Sequence, residues 1–279
     1  DERAGLLHDR AHRRQRRPEE QPGEHEVDEH ARQRAPDFDG LAGHDVERVR
    51  AERGRDVPTE AREDARALFR PAWAAVGADG YVFPTRCMAR DLGPLVRTGV
   101  TIYHHHWPQL APNPVRPQVR TVGYEGADYL GPWQARIEQA CAARGLRFLA
   151  NPRDYNELDI VVLARGGAHG NFLSRRYKSN VKLANAYGAG MPALVHVDEM
   201  SAHDTDGGDV LFFTDRPGSF ERQLDRLCAS HALRQSIHRR FRAQAARYRV
   251  DRVAASFEAF FLHVLGQRQA HVLEGTRHA

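Results

Sequence analysis

The sequence predicts an α/β domain with a mostly parallel sheet over about residues 96–265. Short apolar segments typical of strands alternate with helical patterns at the spacing of βαβ units. After Asp159 the chain runs IVVLA without a polar residue, which is typical of a strand buried on both faces. With 279 residues, of which 41% are hydrophobic, the chain is long enough to enclose such a core.

The elements follow one another along the chain, separated by glycine and proline. Strands are expected at residues 96–103, 120–124, 146–150, 159–164, 192–197 and 210–213. Helices are expected at residues 132–144, 181–190, 217–228, 233–248 and 251–266. Pro132 suits a first helical turn and Gly145 a C-cap, while Asp251 is an expected N-cap and Gly266 an expected stop.

Residues 1–76 differ from the rest in composition. They are dense in Arg, Glu, Asp, His, Gly and Pro, and Phe38 is the only aromatic residue before Phe69. Such a segment buries too little apolar surface to offset its ordering entropy. We expect an arm that is disordered or forms isolated, fraying helices, or else an out-of-frame translation upstream of a real domain. A linker and domain-junction strand should then occupy residues 77–118, the binding domain residues 119–266 and a disordered tail residues 267–279.

Composition excludes several classes of protein. No apolar run approaches the length of a membrane-spanning helix, and the three cysteines are far apart and lack zinc-site spacing. The net charge is +4, and nearly all of the positive charge is arginine, since Lys178 and Lys182 are the only lysines. This bias is more typical of GC-rich coding than of a nucleic-acid surface. We expect a cytoplasmic protein without a metal and without a nucleic-acid partner.

Two loops at expected strand ends carry candidate ligand-binding residues, because parallel sheets bind ligands where strands end and helices begin. In the first loop, Gly123 and Gly126 would allow a ligand close to the backbone, although an ordinary tight turn explains them as well. In the second, Arg165 follows the apolar strand and His169 lies just beyond it.

The second loop leads into a helix that carries further candidates. Lys178 precedes it, Asn180 lies near its start, and Asn185 follows Lys178 by two turns on the same side. Arg165 and Lys178 would form a diphosphate site at the helix N-terminus, and Asn185 could reach a ribose hydroxyl. Solvated cations and a surface amide are the alternative.

The stretch KSNVKLANAYGAGMP, residues 178–192, resembles the donor-site signature of bacterial group 1 (family-4-like) glycosyltransferases. In many of these a Lys is followed by a Lys four residues on, a Glu seven residues on and a small-residue A-G-x-P end. Residues 120–126 and 159–165 are also similar to that family. The resemblance implies one half of a GT-B fold, a Rossmann-like domain that binds a nucleotide diphosphate-sugar and transfers the sugar to a glycan or lipid-linked acceptor. It implies no cofactor and no metal.

The sequence departs from that family in two ways. Asn185 stands where the family commonly has Glu, and an uncharged amide accepts hydrogen bonds more weakly. Residues 1–80 also cannot form the second Rossmann-like domain of a GT-B enzyme. We therefore expect a donor-binding half. The rival interpretations are a non-catalytic nucleotide-sugar-binding or scaffolding module and a nucleic-acid-binding regulator.

Histidines and arginines outside these loops are the remaining candidates. Three consecutive histidines end at His106, but neighbouring strand residues alternate faces and cannot easily share one metal ion. The resemblance instead implies that His105 and His106 lie at the domain-junction cleft. One helix is crowded with basic residues, which indicates a solvated face or a contact with anionic lipid at the inner membrane face: Arg234, His238, Arg239, Arg240, Arg242 and Arg247.

Overall fold

A computed structural model describes residues 59–126, 130–167, 170–197, 202, 204, 205 and 210–277, of which 270–277 are described by their backbone alone. All of these residues belong to one compact unit. Among the described residues, no helix is both long enough and apolar enough to cross a bilayer.

The described chain begins with a small βαβ unit. Helix α1 (Thr59–Val76) precedes strand β1 (Tyr81–Phe83), helix α2 (Arg86–Leu92) and strand β2 (Gly99–Thr101). The two strands pair in parallel with Tyr81 opposite Gly99. The linker predicted for residues 77–118 is therefore wrong for β1 and α2. Three-residue strands are too short to show the alternation by which a strand is recognised in sequence.

Helix α1 contradicts the disorder predicted for residues 59–76. Its aromatic residues pack on one another and on the small unit, with 5.4 Å between the ring centroids of Phe69 and Trp73 and 4.7 Å between those of Trp73 and Tyr81. Arg66 Nε donates to the backbone carbonyl of Asp91, 2.8 Å away. Asp91 lies 25 residues from Arg66 in sequence, and contacts with the small unit supply the burial that local composition lacks. Residues 1–58, the rest of the predicted arm, lie outside the described residues.

The main sheet has five parallel strands. They are β3 (Thr121–Tyr124), β4 (Arg147–Ala150), β5 (Ile160–Leu163), β6 (Ala193–His196) and β7 (Leu211–Phe213). Their spatial order is β4-β3-β5-β6-β7. The order therefore reverses next to β3, between β3 and β5, which is where open α/β sheets bind ligands. The fold class predicted from the sequence is confirmed.

Helices connect these strands and cover the sheet. They are α3 (Pro132–Ala142), α4 (Phe172–Tyr177), α5 (Val181–Ala189), α6 (Ser219–Ala229), α7 (His231–Ala245) and α8 (Val250–Arg277). Helix α5 ends as predicted from its small residues, since Gly190 adopts a left-handed conformation with φ of 65° that favours glycine.

The predicted stop at Gly266 is wrong, because α8 continues through it to Arg277. An exposed glycine costs a helix only about 1 kcal/mol relative to alanine, which the flanking turns can offset. The tail predicted to be disordered from residue 267 is therefore helical up to Arg277.

Glycine in β3 allows the centre of the domain to pack tightly. A Cβ atom on Gly123 would lie 2.2 Å from a methyl group of Leu158, and Leu158 is fully buried. The core around it contains β5 and the inner faces of α3 and α5, with Ile137, Val162 and Leu183 fully buried. The missing side chain at Gly123 thus serves core packing, and the predicted ligand-facing role of this glycine is not needed to explain it.

Candidate donor site

A cavity of about 180 Å³ opens at the carboxyl ends of β3 and β5, where the strand order reverses. It is formed by the loop after β3, the segment after β5, helix α4, the first turn of α5 and the residues that join these two helices. Its lining residues are Glu125, Gly126, Arg165, Ser174, Lys178, Ser179, Val181 and Lys182.

Three cationic side chains line this cavity. Arg165 lies just beyond β5 and is 6% exposed, Lys178 is exposed at the end of α4, and Lys182 lies in the first turn of α5. The start of a helix adds the partial positive charge of its free N–H groups. Arg165 and Lys178 thus line the same cavity, and their binding of a diphosphate stays a prediction. Together with Lys182 they form an environment that suits a diphosphate.

Sequence reasoning quoted Lys182 as part of a motif but did not place it in the site. Its Nζ donates a hydrogen bond of 2.6 Å to the Tyr124 hydroxyl and lies 4.0 Å from the centroid of that ring. Gly126, with φ of 140°, allows this approach, because a Cβ atom there would lie 3.0 Å from both Lys182 Nζ and the Tyr124 hydroxyl. Gly126 therefore makes room for Lys182 in the cavity, and its predicted approach to a ligand stays a prediction.

Sequence reasoning also missed Glu125, which brings a carboxylate to the cavity. Both of its oxygens accept from Asn185 Nδ2, each at 2.9 Å. Burial raises the pKa of Glu125, and the Asn185 hydrogen bond and the charge of Lys182 oppose that rise. Its position directly after β3, at the carboxyl end of a parallel strand, is the signal that could have identified it.

The two predicted asparagines support the site from beneath. Asn185 is fully buried, and its Oδ1 accepts from the backbone N–H of Trp107 at 2.9 Å. Asn180 is 1% exposed, and its Oδ1 accepts from the backbone N–H of His104 at 3.3 Å. Both amides thus fix the segment that follows β2 against α5. The predicted contact of Asn185 with a ribose stays a prediction.

The histidine segment makes local contacts. The ring Nδ1 atoms of His104, His105 and His106 lie 2.7, 2.9 and 2.8 Å from the backbone carbonyl oxygen of the following residue. His106 also packs on α5, where a Cβ atom on Gly188 would lie 2.7 Å from its ring. Within the described part of the chain, no group of three metal-ligating side chains occurs. The cleft role of His105 and His106 stays a prediction, and His169 lies outside the described residues.

The basic helix is largely structural rather than a uniform solvated face. Arg234 is 1% exposed and donates to the carbonyls of Leu227, Cys228, Arg116 and Pro117. His238 Nδ1 lies 2.9 Å from the Gly190 carbonyl oxygen, and Arg242 donates to the Gly188 carbonyl. Arginine and histidine side chains thus contact carbonyls at the C-terminal ends of α6 and α5. Arg239 and Arg240 are exposed.

The geometry defines a class of protein: a doubly wound, Rossmann-like α/β domain with a cationic site at the reversal of strand order. No family model and no curated protein matches the sequence. Solved structures do match the fold. A sucrose-phosphate synthase from Thermosynechococcus elongatus is 11% identical with a TM-score of 0.51, over 80% of this chain and 66% of that one.

Two further solved structures are similar. A glycosyltransferase from Rickettsia africae ESF-5 is 10% identical with a TM-score of 0.50, over 71% of this chain and 67% of that one. A GtfA/B complex is 14% identical with a TM-score of 0.50, over 71% of this chain and 47% of that one. The chain thus spans about half to two thirds of the length of these proteins. Its fold is that of one half of the GT-B glycosyltransferases.

Proposed function

We propose that this chain is the donor-binding half of a glycosyltransferase, which binds a nucleotide diphosphate-sugar in the cavity between β3 and β5. The observation that carries the proposal is the convergence of Arg165, Lys178 and Lys182 on one cavity at the start of α5. A diphosphate is a dense anion, and fixed cations near a helix N-terminus bind it without a metal ion.

The same cations have a role in the reaction. When the bond between the sugar and the diphosphate breaks, negative charge grows on the leaving phosphate oxygen. Arg165 is buried and held by its surroundings, so it stabilises that charge with little rearrangement, as a preorganised electrostatic catalyst does. Lys182, fixed on Tyr124, acts in the same way.

The acceptor is proposed to be a glycan or a lipid-linked acceptor, used in the cytoplasm or at the inner face of the membrane. The exposed arginines Arg239 and Arg240 support a peripheral contact with anionic lipid, since each cation near such a surface contributes about 1 kcal/mol. Arg239 and Arg240 are adjacent on α7, the helix whose His238 and Arg242 contact the C-terminal end of α5.

Titration calorimetry on the full chain tests the proposal with UDP, GDP and ADP as ligands. We expect one of them to bind, and Lys178→Ala to weaken that binding about tenfold or more, the scale of a hydrogen bond to a charged group. Arg252→Ala is the matched control, because Arg252 is an exposed cation on α8, outside the cavity. Failure of all three nucleotides to bind would overturn the proposal, and an unchanged affinity of Lys178→Ala would return Lys178 to the solvated surface.

A further inference from the structure

Glu125 is the one acidic residue among the described residues that line the cavity, and it lies with three cations. A carboxylate beside a diphosphate site repels the phosphates, and the repulsion is stronger where the surroundings are partly buried. Glu125 nevertheless sits there with its side chain fixed rather than turned away. A negative charge in this place needs a reason other than phosphate binding.

Among the described residues, the hydrogen bonds to this carboxylate come from a single amide group. The Asn185 amide reaches both oxygens at 2.9 Å, and the amide is itself fixed by the backbone of Trp107. A carboxylate offers about four lone-pair sites and donates nothing when ionised. One amide group does not use all of these positions, and Glu125 lines the cavity, so a ligand bound there can offer hydrogen-bond donors to the carboxylate.

We propose, on the basis of the proposed function, that Glu125 accepts hydrogen bonds from two adjacent hydroxyl groups of the bound nucleotide-sugar, with Asn185 as the residue that positions it. Two oxygens in one plane suit a pair of neighbouring donors, as in other bidentate carboxylate contacts. The phosphates bind the cations and the hydroxyls bind the carboxylate, so the cavity recognises both parts of the ligand. The hydroxyls belong either to the ribose or to the transferred sugar.

The competing explanation is that Glu125 only balances the charge of Lys182, which lies close enough to lower its pKa. The two explanations differ in what they require of Glu125. A counter-charge needs only the negative charge, and it does not sense hydroxyl groups on the ligand. A carboxylate that binds hydroxyl groups needs both its negative charge and the length of its side chain.

Two variants separate these properties. Glu125→Gln removes the charge and keeps the side-chain length, and Glu125→Asp keeps the charge and shortens the side chain. Calorimetry on the full chain measures the binding of five ligands. They are inorganic pyrophosphate, the tightest-binding nucleoside diphosphate, its 2′-deoxy and 3′-deoxy analogues, and the matching nucleotide-glucose. In the native chain we expect loss of a recognised hydroxyl to weaken binding about tenfold, the scale of a hydrogen bond to a charged group. The hydroxyl ratio is the affinity of the ligand with the hydroxyl divided by that of the ligand without it. In both variants this ratio should fall to about one, while pyrophosphate binds as well as before or more tightly.

The analogue whose ratio collapses identifies the source of the hydroxyls: the deoxy analogues report the ribose, and nucleotide-glucose compared with the free diphosphate reports the transferred sugar. Glu258→Gln, at an exposed glutamate on α8, is the control and should change neither ratio. Retained pyrophosphate binding shows that each variant is folded.

Three results would overturn the inference while leaving the proposed function intact. One is a native chain that binds nucleotides equally tightly with and without the hydroxyl groups. The second is unchanged hydroxyl ratios in the variants. The third is a normal ratio in Glu125→Asp, which identifies a counter-charge. A native chain that binds no nucleotide overturns the proposed function, and this inference with it.

Discussion

Lys182 Nζ lies 2.6 Å from the hydroxyl of Tyr124 and 4.0 Å from the centroid of the same ring. Tyr124 is the last residue of β3 and Lys182 lies in the first turn of α5, so this pair joins the two elements that form the cavity. The buried ring fixes the ammonium group where a phosphate would bind. It therefore links the packing of the core to the charge of the site.

The first prediction concerns that pair. Lys182→Met should weaken pyrophosphate and nucleotide binding about tenfold or more, because it removes a charge-assisted contact. Tyr124→Phe keeps the ring and removes only the hydroxyl, so it should have the same sign and a smaller effect. Calorimetry measures both. Tyr81→Phe is the control, since that hydroxyl contacts the Trp73 carbonyl in the small unit, and equal losses in all three variants would contradict the prediction.

The second prediction concerns Gly123. Gly123→Ala should lower the free energy of unfolding by about 1–3 kcal/mol, the usual cost of overpacking a core, because the new methyl group would overlap Leu158. Urea denaturation measures the change. Gly93→Ala is the matched control, since a Cβ atom there meets nothing within 4 Å. Pairing Gly123→Ala with Leu158→Ala should restore part of the loss, and an unaltered stability of Gly123→Ala alone would show that the strand packs differently.

The third prediction tests the packing of the small unit through Asp91. This carboxylate is fully buried and accepts from Arg176 and from the Tyr177 hydroxyl. Asp91→Asn should cost about 3–5 kcal/mol of unfolding free energy, because it leaves a buried arginine without its counter-charge. Asp225→Asn, at an exposed ion pair with Arg144, should cost about 0–1 kcal/mol.

The effect of Asp91 should also depend on pH with a definite sign. Burial acts to raise the pKa of Asp91, but the Arg176 hydrogen bond and neighbouring arginines outweigh it and lower the pKa below the ordinary 3.8. A lowered folded-state pKa means that the stabilisation is fully present above the unfolded-state value and is lost as pH falls through the folded-state value. The stability gap between the native chain and Asp91→Asn should therefore be constant near neutral pH and shrink only below 3.8. A gap that shrinks at higher pH would contradict this.

The fourth prediction concerns activity. The purified chain should bind a nucleoside diphosphate but transfer sugar poorly, with slow donor hydrolysis at most. Transfer requires an acceptor hydroxyl held about 3 Å from the anomeric carbon and a group that takes its proton. In the described part of the chain, the cavity lies on the five-stranded sheet, and the second sheet has two strands. An assay with labelled nucleotide-sugars and crude lipid or glycan acceptors measures transfer, and robust transfer by this chain alone would refute the half-enzyme interpretation.

Local patterns in the sequence determined the main sheet and the place of the cavity. The apolar run after Asp159 and the glycine after α5 are visible within a few residues, because burial on both faces and left-handed helix ends leave local marks. The rule that parallel sheets bind ligands at strand ends then brought Arg165 and Lys178 together. The same rule applies to the turn after β3, where the sequence predicted Gly123 and Gly126 as candidates and did not predict Glu125.

Only the tertiary structure decided what each of these residues contacts. Asn185 meets Glu125 across 60 residues of chain, Lys182 meets Tyr124 across 58, and Arg234 meets the Arg116 carbonyl across 118. Such partners leave no periodic signal, since a hydrogen bond between distant segments depends on how strands and helices pack. For the same reason α1 is ordered by the small unit it packs against, although its own composition predicts disorder.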